Sequence, residues 1–221
     1  MRRGIGVLGG TFDPIHLAHL RVAEEVYEAE ALSEVRFVPA AVPPHKRQAV
    51  ITAAAHRRRM VELAIADTPH FQAWPIELER AGPSFTVDTI QALRDAVGPS
   101  QRIVLIMGRD QFADFHTWRS PDRIVRLCDL VVVTRPPDTE SLDPRTFPVV
   151  SSEAFCYDSD SDRFVHSSGH TVRSVPVTPL DIAATALRHS VRAGRSIRFL
   201  VPPAVDDYIH THQLYREDAP R

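Results

Sequence analysis

The run IGVLGGTFDPIHLAH at residues 5–19 decides how this chain begins to fold. Residues 5–8 are apolar and end at Gly9-Gly10, which predicts a short buried strand. Residues 17–31 are rich in helix formers with apolar side chains on one face, which predicts an amphipathic helix. A strand that passes through glycines into a helix is the opening unit of an α/β domain.

Outward from this unit, apolar strands alternate with amphipathic helices. Strands that are apolar throughout are typical of a parallel sheet with helices on both faces. The alternation predicts one α/β domain over residues 1–221, with a small helical part at its C-terminal end. The predicted strands lie at 35–38, 71–78 (broken at Pro75), 103–107 and 130–133, and the predicted helices at 53–66, 87–97, 184–191 and 203–212.

The stretch 138–174 differs from the rest of the chain. It is rich in Ser, Asp and Pro, contains Asp158-Ser159-Asp160-Ser161-Asp162, and shows no clear period. This composition predicts a variable, partly mobile surface excursion within the domain. We expect order to resume near Val175 and Asp181 to cap the helix that follows.

Composition and charge exclude several classes of partner. The 221 residues are 43% hydrophobic and carry a formal net charge of -2, so the chain can bury a core but has no global field for nucleic acid or an anionic membrane. Cys128 and Cys156 form no CxxC pair, which argues against a zinc site or a disulfide framework. The apolar run at 5–8 is too short to span a membrane and lacks a signal-peptide cleavage pattern, so we expect a cytoplasmic protein.

The glycines at the N-terminus formally match a dinucleotide-binding fingerprint, in Gly4-Ile5-Gly6-Val7-Leu8-Gly9. That fingerprint has to follow a strand, and only three residues precede it here. The match therefore does not predict a hydride-transferring enzyme.

The glycines and histidines of residues 9–19 suit the binding of phosphate. Gly9-Gly10-Thr11 lies between the strand and the helix, where backbone N–H groups can approach an anion. His16 and His19 are three residues apart, so both project to one side of the helix start and could stabilise charge that develops on phosphorus. Three alternatives stay open: a plain turn, two solvated histidines, or a zinc pair, although helical zinc pairs use four-residue spacing and a third ligand.

Taken as a whole, residues 9–19 resemble the signature of the nucleotidyltransferase superfamily with an HxGH motif, and the form GGTFDPIH is similar to that of bacterial nicotinate-nucleotide adenylyltransferases. Further segments resemble that family in the same order along the chain. One position of the signature departs, since Ala18 stands where the motif has glycine. The matching segments are Pro43-Pro44-His45-Lys46, Arg57 with Met60, Ser84-Phe85-Thr86-Val87-Asp88-Thr89, Gly108-Arg109-Asp110, Thr117-Trp118, Arg135-Pro136, and 181–188, where Ala183 replaces a serine of the family.

The resemblance implies a Rossmann-like, doubly wound parallel sheet and transfer of the adenylyl group of ATP to nicotinate mononucleotide, which gives deamido-NAD and pyrophosphate. It implies that His16 and His19 act at the reacting phosphate. It implies no protein ligand for a metal, with Mg²⁺ held mainly through the ATP phosphates, although Asp13 stays open as a ligand. The implied ATP and phosphate site comprises Gly9, Gly10, Thr11, Phe12, Lys46, Thr185 and Arg188, and the implied mononucleotide site Thr86, Thr89, Gly108, Asp110, Trp118 and Arg135.

Each of these residues also has an ordinary structural interpretation. Lys46 fits an exposed turn, Trp118 a core aromatic, Asp110 a helix N-cap and Arg188 a solvated charge. The rival functions are an adenylyltransferase that acts on nicotinamide mononucleotide or phosphopantetheine, and a nucleotide-binding module without catalysis, which the alanines of the two motifs would permit. The sequence leaves a homo-oligomer open.

Overall fold

A computed structural model describes residues 3–41, 51–80, 82–135, 142 and 155–216. Within these residues, eight strands form one sheet in the order β3-β2-β1-β4-β5-β8-β7-β6. β1 to β5 and β8 run parallel, whereas β6 and β7 are antiparallel additions at one edge. The strands are β1 (Ile5–Gly10), β2 (Glu34–Pro39), β3 (Phe71–Ala73), β4 (Ile103–Gly108), β5 (Asp129–Thr134), β6 (Phe155–Asp158), β7 (Arg163–His166) and β8 (Thr171–Pro176).

Helices cover both faces of the sheet, as predicted. Successive strand residues point to opposite faces, so Leu8 and Ile106 belong to one hydrophobic core and Val7 and Leu105 to the other. None of the helices in the described ranges combines the length and the apolar character that a membrane crossing needs. The helices are α1 (Leu17–Ala29), α2 (Ala54–Ile65), α3 (Ile76–Glu79), α4 (Thr86–Val97), α5 (Arg109–Ala113), α6 (Pro121–Val125), α7 (Ala184–Arg192) and α8 (Pro203–Thr211), with a 3-10 turn at Phe115–Thr117.

The strand order creates one switch point. β1 is paired with β2 on one side and with β4 on the other, so the chain leaves β1 in one direction and later returns to its opposite flank. Doubly wound sheets bind ligands in the crevice that opens at the carboxyl ends of such strands. Here those ends are Gly9-Gly10 of β1 and Gly108 of β4.

Two short elements differ from the predictions. The glycine pair belongs to β1 itself, so the turn begins only at Thr11. The predicted strand at 71–78 ends at Ala73, and Pro75 begins a helical turn instead. Proline cannot donate to a strand ladder, and its fixed φ suits the start of a helix.

The expectation of an irregular excursion at 138–174 is wrong for residues 155–174. β6, β7 and the first part of β8 fall there, and β8 pairs in parallel with β5. In β7 only Phe164 and His166 are buried, while Arg163 and Val165 lie closer to solvent. Edge strands that alternate polar and apolar residues over four positions are too short to stand out in a Ser- and Asp-rich sequence.

The C-terminal helices follow the prediction except at one cap. α7 and α8 lie within a residue of the expected bounds, but Ala183, not Asp181, precedes α7. Ala183 has extended backbone angles and no side-chain bond to the helix. Asp181 lies two residues too early for its carboxylate to occupy the cap position.

Candidate active site

The two glycines that end β1 serve different purposes. A Cβ atom on Gly10 would lie 2.9 Å from the ring of Phe12, so no larger residue fits there without displacing that ring. A Cβ on Gly9 would meet no atom within 4 Å, because Gly9 faces a cavity. Gly9 therefore leaves room for a ligand, whereas Gly10 leaves room for the protein's own core.

Phe12 contributes to the core rather than to the cavity lining. Its ring is buried and packs against Phe37, with ring centroids 5.9 Å apart, and its φ of 49° is in the left-handed region. Its predicted part in ATP binding is thus limited to the backbone. The ring also supports His19 edge-on, at 5.1 Å between centroids.

His16 and His19 form a stacked pair at the start of α1. Their ring centroids are 3.7 Å apart, and the rings are inclined by 26°. The backbone N–H of His16 donates to Nδ1 of His19 at 3.3 Å, so a neutral His19 carries its proton on Nε2. Nδ1 of His16 is buried and has no hydrogen-bond partner among the described residues. The pair thus keeps one buried ring nitrogen that none of the described residues satisfies.

Burial keeps both imidazoles uncharged. Desolvation, with a smaller contribution from the charge of Arg135, lowers the pKa of His16 to about 4. Desolvation, then His16 and Arg135, lowers the pKa of His19 to about 3. At neutral pH both residues are therefore neutral hydrogen-bonding groups in the absence of a ligand. A bound anion would favour their protonated forms.

Arg57 holds the backbone around the phosphate turn. Its buried guanidinium donates to the carbonyls of Thr11 at 2.8 Å, Ala40 at 2.7 Å and Ala41 at 3.1 Å, and its Nε donates to Thr52 at 3.0 Å. The family resemblance includes Arg57 without assigning it a task. The structure places it under the turn, as the common anchor of three separate loops.

Asp13 is a structural carboxylate. One of its oxygens accepts a hydrogen bond from the hydroxyl of Tyr215 at 2.8 Å, and the other accepts from the backbone N–H of Thr52 at 3.3 Å. Both oxygens are thus engaged by the protein, which leaves Asp13 poorly suited to bind a metal. Tyr215 ties the C-terminal end of the described chain to the motif.

Arg188 and Thr185 lie beside the same loop. The guanidinium of Arg188 donates to the backbone carbonyl of Asp13 at 2.6 Å and to Oγ1 of Thr185 at 3.3 Å. Residues predicted to bind phosphate from opposite ends of the chain are thus brought together. Lys46, the remaining predicted phosphate residue, lies outside the described residues.

A cavity of about 610 Å³ opens at the carboxyl ends of β1 and β4. It is lined by seven of the predicted site residues and by side chains that the sequence did not single out. Glu77, Asp114 and Arg119 are the charged residues among the latter. The predicted residues on its wall are Gly9, Gly10, Thr11, Thr86, Thr89, Asp110 and Trp118.

Glu77 is a buried carboxylate on the cavity wall. It accepts a hydrogen bond from the hydroxyl of Thr89 at 2.7 Å, and burial raises its pKa against the opposing effect of that bond. Because the hydroxyl of Thr89 is occupied by Glu77, Thr89 supports the cavity wall. The sequence showed no sign of this, since Glu77 fell within a stretch expected to be extended.

Trp118 and Asp110 lie on the cavity wall, whereas Gly108, Arg135 and the two histidines do not line it. Trp118 is half-buried, and its ring centroid lies 5.3 Å from that of Phe115. Asp110 is exposed in the first turn of α5, whose N-cap is Gly108, so the N-cap interpretation of Asp110 is wrong. Arg135 is exposed, and its charge makes a small contribution to the lowered pKa values of both histidines.

Comparison with known proteins shows the family of the chain. The family model described as "Cytidylyltransferase-like" matches residues 7–180. A "Probable nicotinate-nucleotide adenylyltransferase" of Geotalea daltonii is 44% identical over 96% of this chain and 98% of its own length, and one of Syntrophotalea carbinolica is 45% identical over 96% and 97%. The chain belongs to the nicotinate-nucleotide adenylyltransferase family.

As a member of this family, the chain is a nucleotidyltransferase. A solved structure of the Plasmodium falciparum nicotinic acid mononucleotide adenylyltransferase, complexed with NaAD, has a TM-score of 0.71 at 18% identity over 96% of this chain and 97% of that chain. At that identity the likeness concerns the fold, which it confirms as Rossmann-like α/β. The family membership rests on the sequence identity with the two bacterial relatives.

Proposed function

We propose that this nicotinate-nucleotide adenylyltransferase family member transfers the adenylyl group of ATP to nicotinate mononucleotide, giving deamido-NAD and pyrophosphate in NAD biosynthesis. The observation that carries the proposal is the stacked His16–His19 pair at the start of α1, which follows in the chain the residues Gly9–Thr11 that line the cavity at the β1–β4 switch point. Its buried, unsatisfied ring nitrogen needs a polar partner, and a phosphate oxygen supplies one once the imidazole is protonated on that atom.

The reaction needs no covalent intermediate with the enzyme. The 5′-phosphate of the mononucleotide attacks the α-phosphorus of ATP in line, the new P–O–P bond forms, and the bond to pyrophosphate breaks. The protein has to hold two polyanions together and stabilise the charge that develops between them. We assign this stabilisation to His16 and His19, with Nε2–H of His19 nearest the reacting phosphorus.

We assign the β- and γ-phosphates of ATP to the N-terminus of α7. The helix N-terminus offers unpaired N–H groups and a positive dipole end, and Arg188 adds a forked donor. Thr185 and Lys46 complete the proposed set. Ala183 removes one hydroxyl donor from this site, but Thr185 lies on the same turn and retains its own.

The alanine in the signature is compatible with catalysis. Ala18 is buried in the first turn of α1, between the two histidines in sequence. The two rings are stacked in the presence of this alanine, with their centroids 3.7 Å apart. The motif's departure from glycine therefore does not favour a module that has lost catalysis.

We propose that Mg²⁺ arrives as part of the substrate, bound to the phosphates of ATP. Among the described residues, no cluster of three or more His, Cys, Asp or Glu side chains has the arrangement of a metal cage. The nearest carboxylate in the motif, that of Asp13, is already engaged by Tyr215 and Thr52. Phosphate oxygens and water are the ligands that Mg²⁺ commonly uses in such sites.

The mononucleotide is assigned to the cavity. Its flat aromatic side chains, Trp118 and Phe85, suit a pyridine ring, and Asp110 suits the ribose hydroxyls. Gly108 would allow close approach beside it. We assign Arg135 to the phosphate of one of the substrates, because its charge acts on both histidines.

We place the reaction in the cytoplasm, without nucleic acid or a membrane as partner. Both Cys128 and Cys156 are free thiols, as is usual in a reducing compartment. A homo-oligomer remains open to measurement by light scattering.

A substrate panel tests the proposal. The purified chain is incubated with ATP and Mg²⁺ and with nicotinate mononucleotide, nicotinamide mononucleotide, phosphopantetheine or no acceptor, and pyrophosphate and dinucleotide are both measured. We expect the highest kcat/KM with nicotinate mononucleotide and equimolar formation of the two products. Higher activity with another acceptor would replace the proposed substrate, and tight binding of ATP without any pyrophosphate would indicate a non-catalytic module.

A further inference from the structure

We propose that Tyr215 is a positioning residue for the phosphate motif, because its hydroxyl holds Asp13 and thereby the short loop that carries His16. The inference rests on the function proposed above, since it concerns a histidine to which that reaction assigns the stabilisation of charge. It gives a role in the reaction to a side chain near the C-terminal end of the chain, which the family resemblance did not include.

The contact between Tyr215 and Asp13 is buried on both sides. The hydroxyl of Tyr215 donates to one carboxylate oxygen of Asp13 at 2.8 Å, and the backbone N–H of Thr52 donates to the other at 3.3 Å. Asp13 is 4% exposed and Tyr215 is 9% exposed. A carboxylate that is excluded from water needs hydrogen-bond donors, so the loss of either one would leave an oxygen without its partner. The side chain of Asp13 is therefore held from two sides.

The loop from Asp13 to Leu17 is fixed at both of its ends by the C-terminal part of the chain. At its start, Arg188 donates to the backbone carbonyl of Asp13 at 2.6 Å. At its end, the backbone N–H of Leu17 donates to the carbonyl of Leu200 at 3.0 Å. His16 lies between these two fixed points. Its position therefore depends on bonds from residues that are distant in the sequence.

The backbone at Tyr215 is itself in an unusual conformation. Its φ of 66° lies in the left-handed region, which costs free energy for a residue with a bulky side chain. Gln213, two residues earlier, has a φ of 52° in the same region. Both follow the end of α8 at Thr211, and the Tyr215 ring lies in the same hydrophobic core as Met60. Backbone strain of this kind is typical of positions where a side chain is held for function.

The position of the loop should matter for the rate more than for the affinity. Electrostatic stabilisation requires donors that are in place when charge develops, and a displacement of about 1 Å can cost about a hundredfold in rate. Loss of the Tyr215 hydroxyl keeps the ring in the core but releases one anchor of Asp13. The other contacts of the loop remain, so the substrate phosphates can still bind while His16 is less well placed.

The test removes single hydroxyl groups. Tyr215→Phe deletes the donor to Asp13 and keeps the aromatic ring. Tyr208→Phe is the matched control, because Tyr208 lies on α8 and its hydroxyl is hydrogen-bonded to Nδ1 of His56, at 2.9 Å, instead of to the motif. The values of kcat and of KM for ATP are measured with nicotinate mononucleotide and Mg²⁺, with circular dichroism and Tm as checks on folding.

We expect Tyr215→Phe to lower kcat by about ten- to a hundredfold and to change KM for ATP by less than about threefold. Tyr208→Phe should keep kcat within about twofold of the native value. A native kcat in Tyr215→Phe would overturn the proposal. An equal fall of kcat in both variants would overturn it as well, because it would indicate a general weakening of the C-terminal part.

A double-mutant cycle tests whether Tyr215 acts through Asp13. Asp13→Asn keeps the shape of the side chain but offers the hydroxyl only a neutral oxygen, and bonds to neutral groups are weaker than bonds to charged ones. Tyr215→Phe should therefore lower kcat by a smaller factor in the Asp13→Asn background than in the native one. Equal factors in both backgrounds would refute the proposal, because Tyr215 would then act independently of Asp13.

A spectroscopic measurement keeps this inference separate from the reaction. The ¹⁵N resonances of the imidazoles report tautomer and protonation without any substrate. At pH 6.5, where an ordinary histidine is half protonated, His16 and His19 should be neutral in the native protein, whereas a looser loop in Tyr215→Phe should raise their protonated fraction. Unchanged resonances would refute the proposal. If the native protein turns over no mononucleotide, the proposed function fails, and these resonances alone decide the role of Tyr215.

Discussion

At the scale of single residues, the stacked histidines are held as neutral donors by their burial. The backbone N–H of His16 fixes the tautomer of His19, and Phe12 supports the ring from the side. Such a pair is organised before the substrate arrives, which is what electrostatic stabilisation of a transition state requires. We therefore predict how removal of one imidazole ring changes the activity, and how protonation of both rings changes the stability.

Replacement of His19 by alanine should remove most of the activity. We expect His19→Ala to lower kcat by about a hundred- to a thousandfold, because a donor aimed at the developing charge is lost. Steady-state pyrophosphate release measures the effect, and Tm should stay close to that of the native protein. His210→Ala, an exposed histidine on α8, is the control. Near-native turnover in His19→Ala would exclude the mechanism proposed for this pair.

Stability should fall in weak acid because of the same two residues. An unfolded histidine titrates near pH 6.5, whereas His16 and His19 titrate near 4 and 3 in the fold. Between these values the unfolded chain binds more protons, so lower pH favours unfolding.

We expect about 1–2 kcal/mol of unfolding free energy per histidine to be lost between pH 7 and pH 5. Urea denaturation at both pH values, for the native protein and a His16→Gln/His19→Gln variant, measures it. The variant should show the smaller loss. Identical pH dependence in the two proteins would contradict the assignment of these pKa values.

At the scale of elements, the last two residues of β1 have different surroundings, although they are adjacent in the chain. Gly9 faces open space in the cavity, and Gly10 faces the ring of Phe12. Adjacent strand residues point to opposite faces, so one strand end can serve both demands. The two glycines should therefore respond differently to the same substitution.

Gly10→Ala should destabilise the fold, whereas Gly9→Ala should impair substrate binding. We expect Gly10→Ala to cost about 1–3 kcal/mol of unfolding free energy, since its Cβ would overlap the Phe12 ring. Gly9→Ala should keep the native stability within about 0.5 kcal/mol and raise KM by about tenfold or more. Urea denaturation and steady-state kinetics separate the two effects. A common loss of stability in both variants would argue against this division.

At the scale of the whole molecule, an ionic cluster links several elements at the amino ends of β4 and β5. The cavity lies at the opposite, carboxyl ends of the strands. Glu30, whose side chain has no exposed surface, follows α1 and pairs with Arg102, with Arg163 at 3.6 Å and with Arg173 at 2.5 Å. Arg102 also binds Asp129 at 2.7 Å. The cluster joins α1 to the starts of β4 and β5 and to the antiparallel extension.

Glu30→Gln should lower stability without affecting catalysis. Three arginines would lose their shared buried anion, and breaking a buried ionic network costs about 3–5 kcal/mol. We expect a loss of that size in urea denaturation and an unchanged kcat at 25 °C, where the protein stays folded. Glu28→Gln, at an exposed position of α1, serves as the control and should change stability by less than about 0.5 kcal/mol. A marked fall in kcat would mean that the ionic cluster at the amino ends of the strands is coupled to the site at their carboxyl ends.

The sequence alone determined the parallel core and the motif. Strands such as β4 and β5 are apolar on both faces, so each is recognisable in the sequence as a continuous apolar run. His16 and His19 are close in sequence as well as in space. The β6–β7 hairpin could not be found in this way, because β6 buries only Phe155 and β7 buries only two alternate residues. α3 was missed for a similar reason, since four residues show no period.

Only the tertiary structure decided how the site is supported and what else lines it. Glu77 meets Thr89 across 12 residues, Arg57 meets Thr11 across 46, and Tyr215 meets Asp13 across 202. Such pairs have no local pattern, because hydrophobic periodicity and turn chemistry report on neighbours within a few positions. The motif of residues 9–19 thus specified the chemistry, while long-range packing specified the walls that surround it.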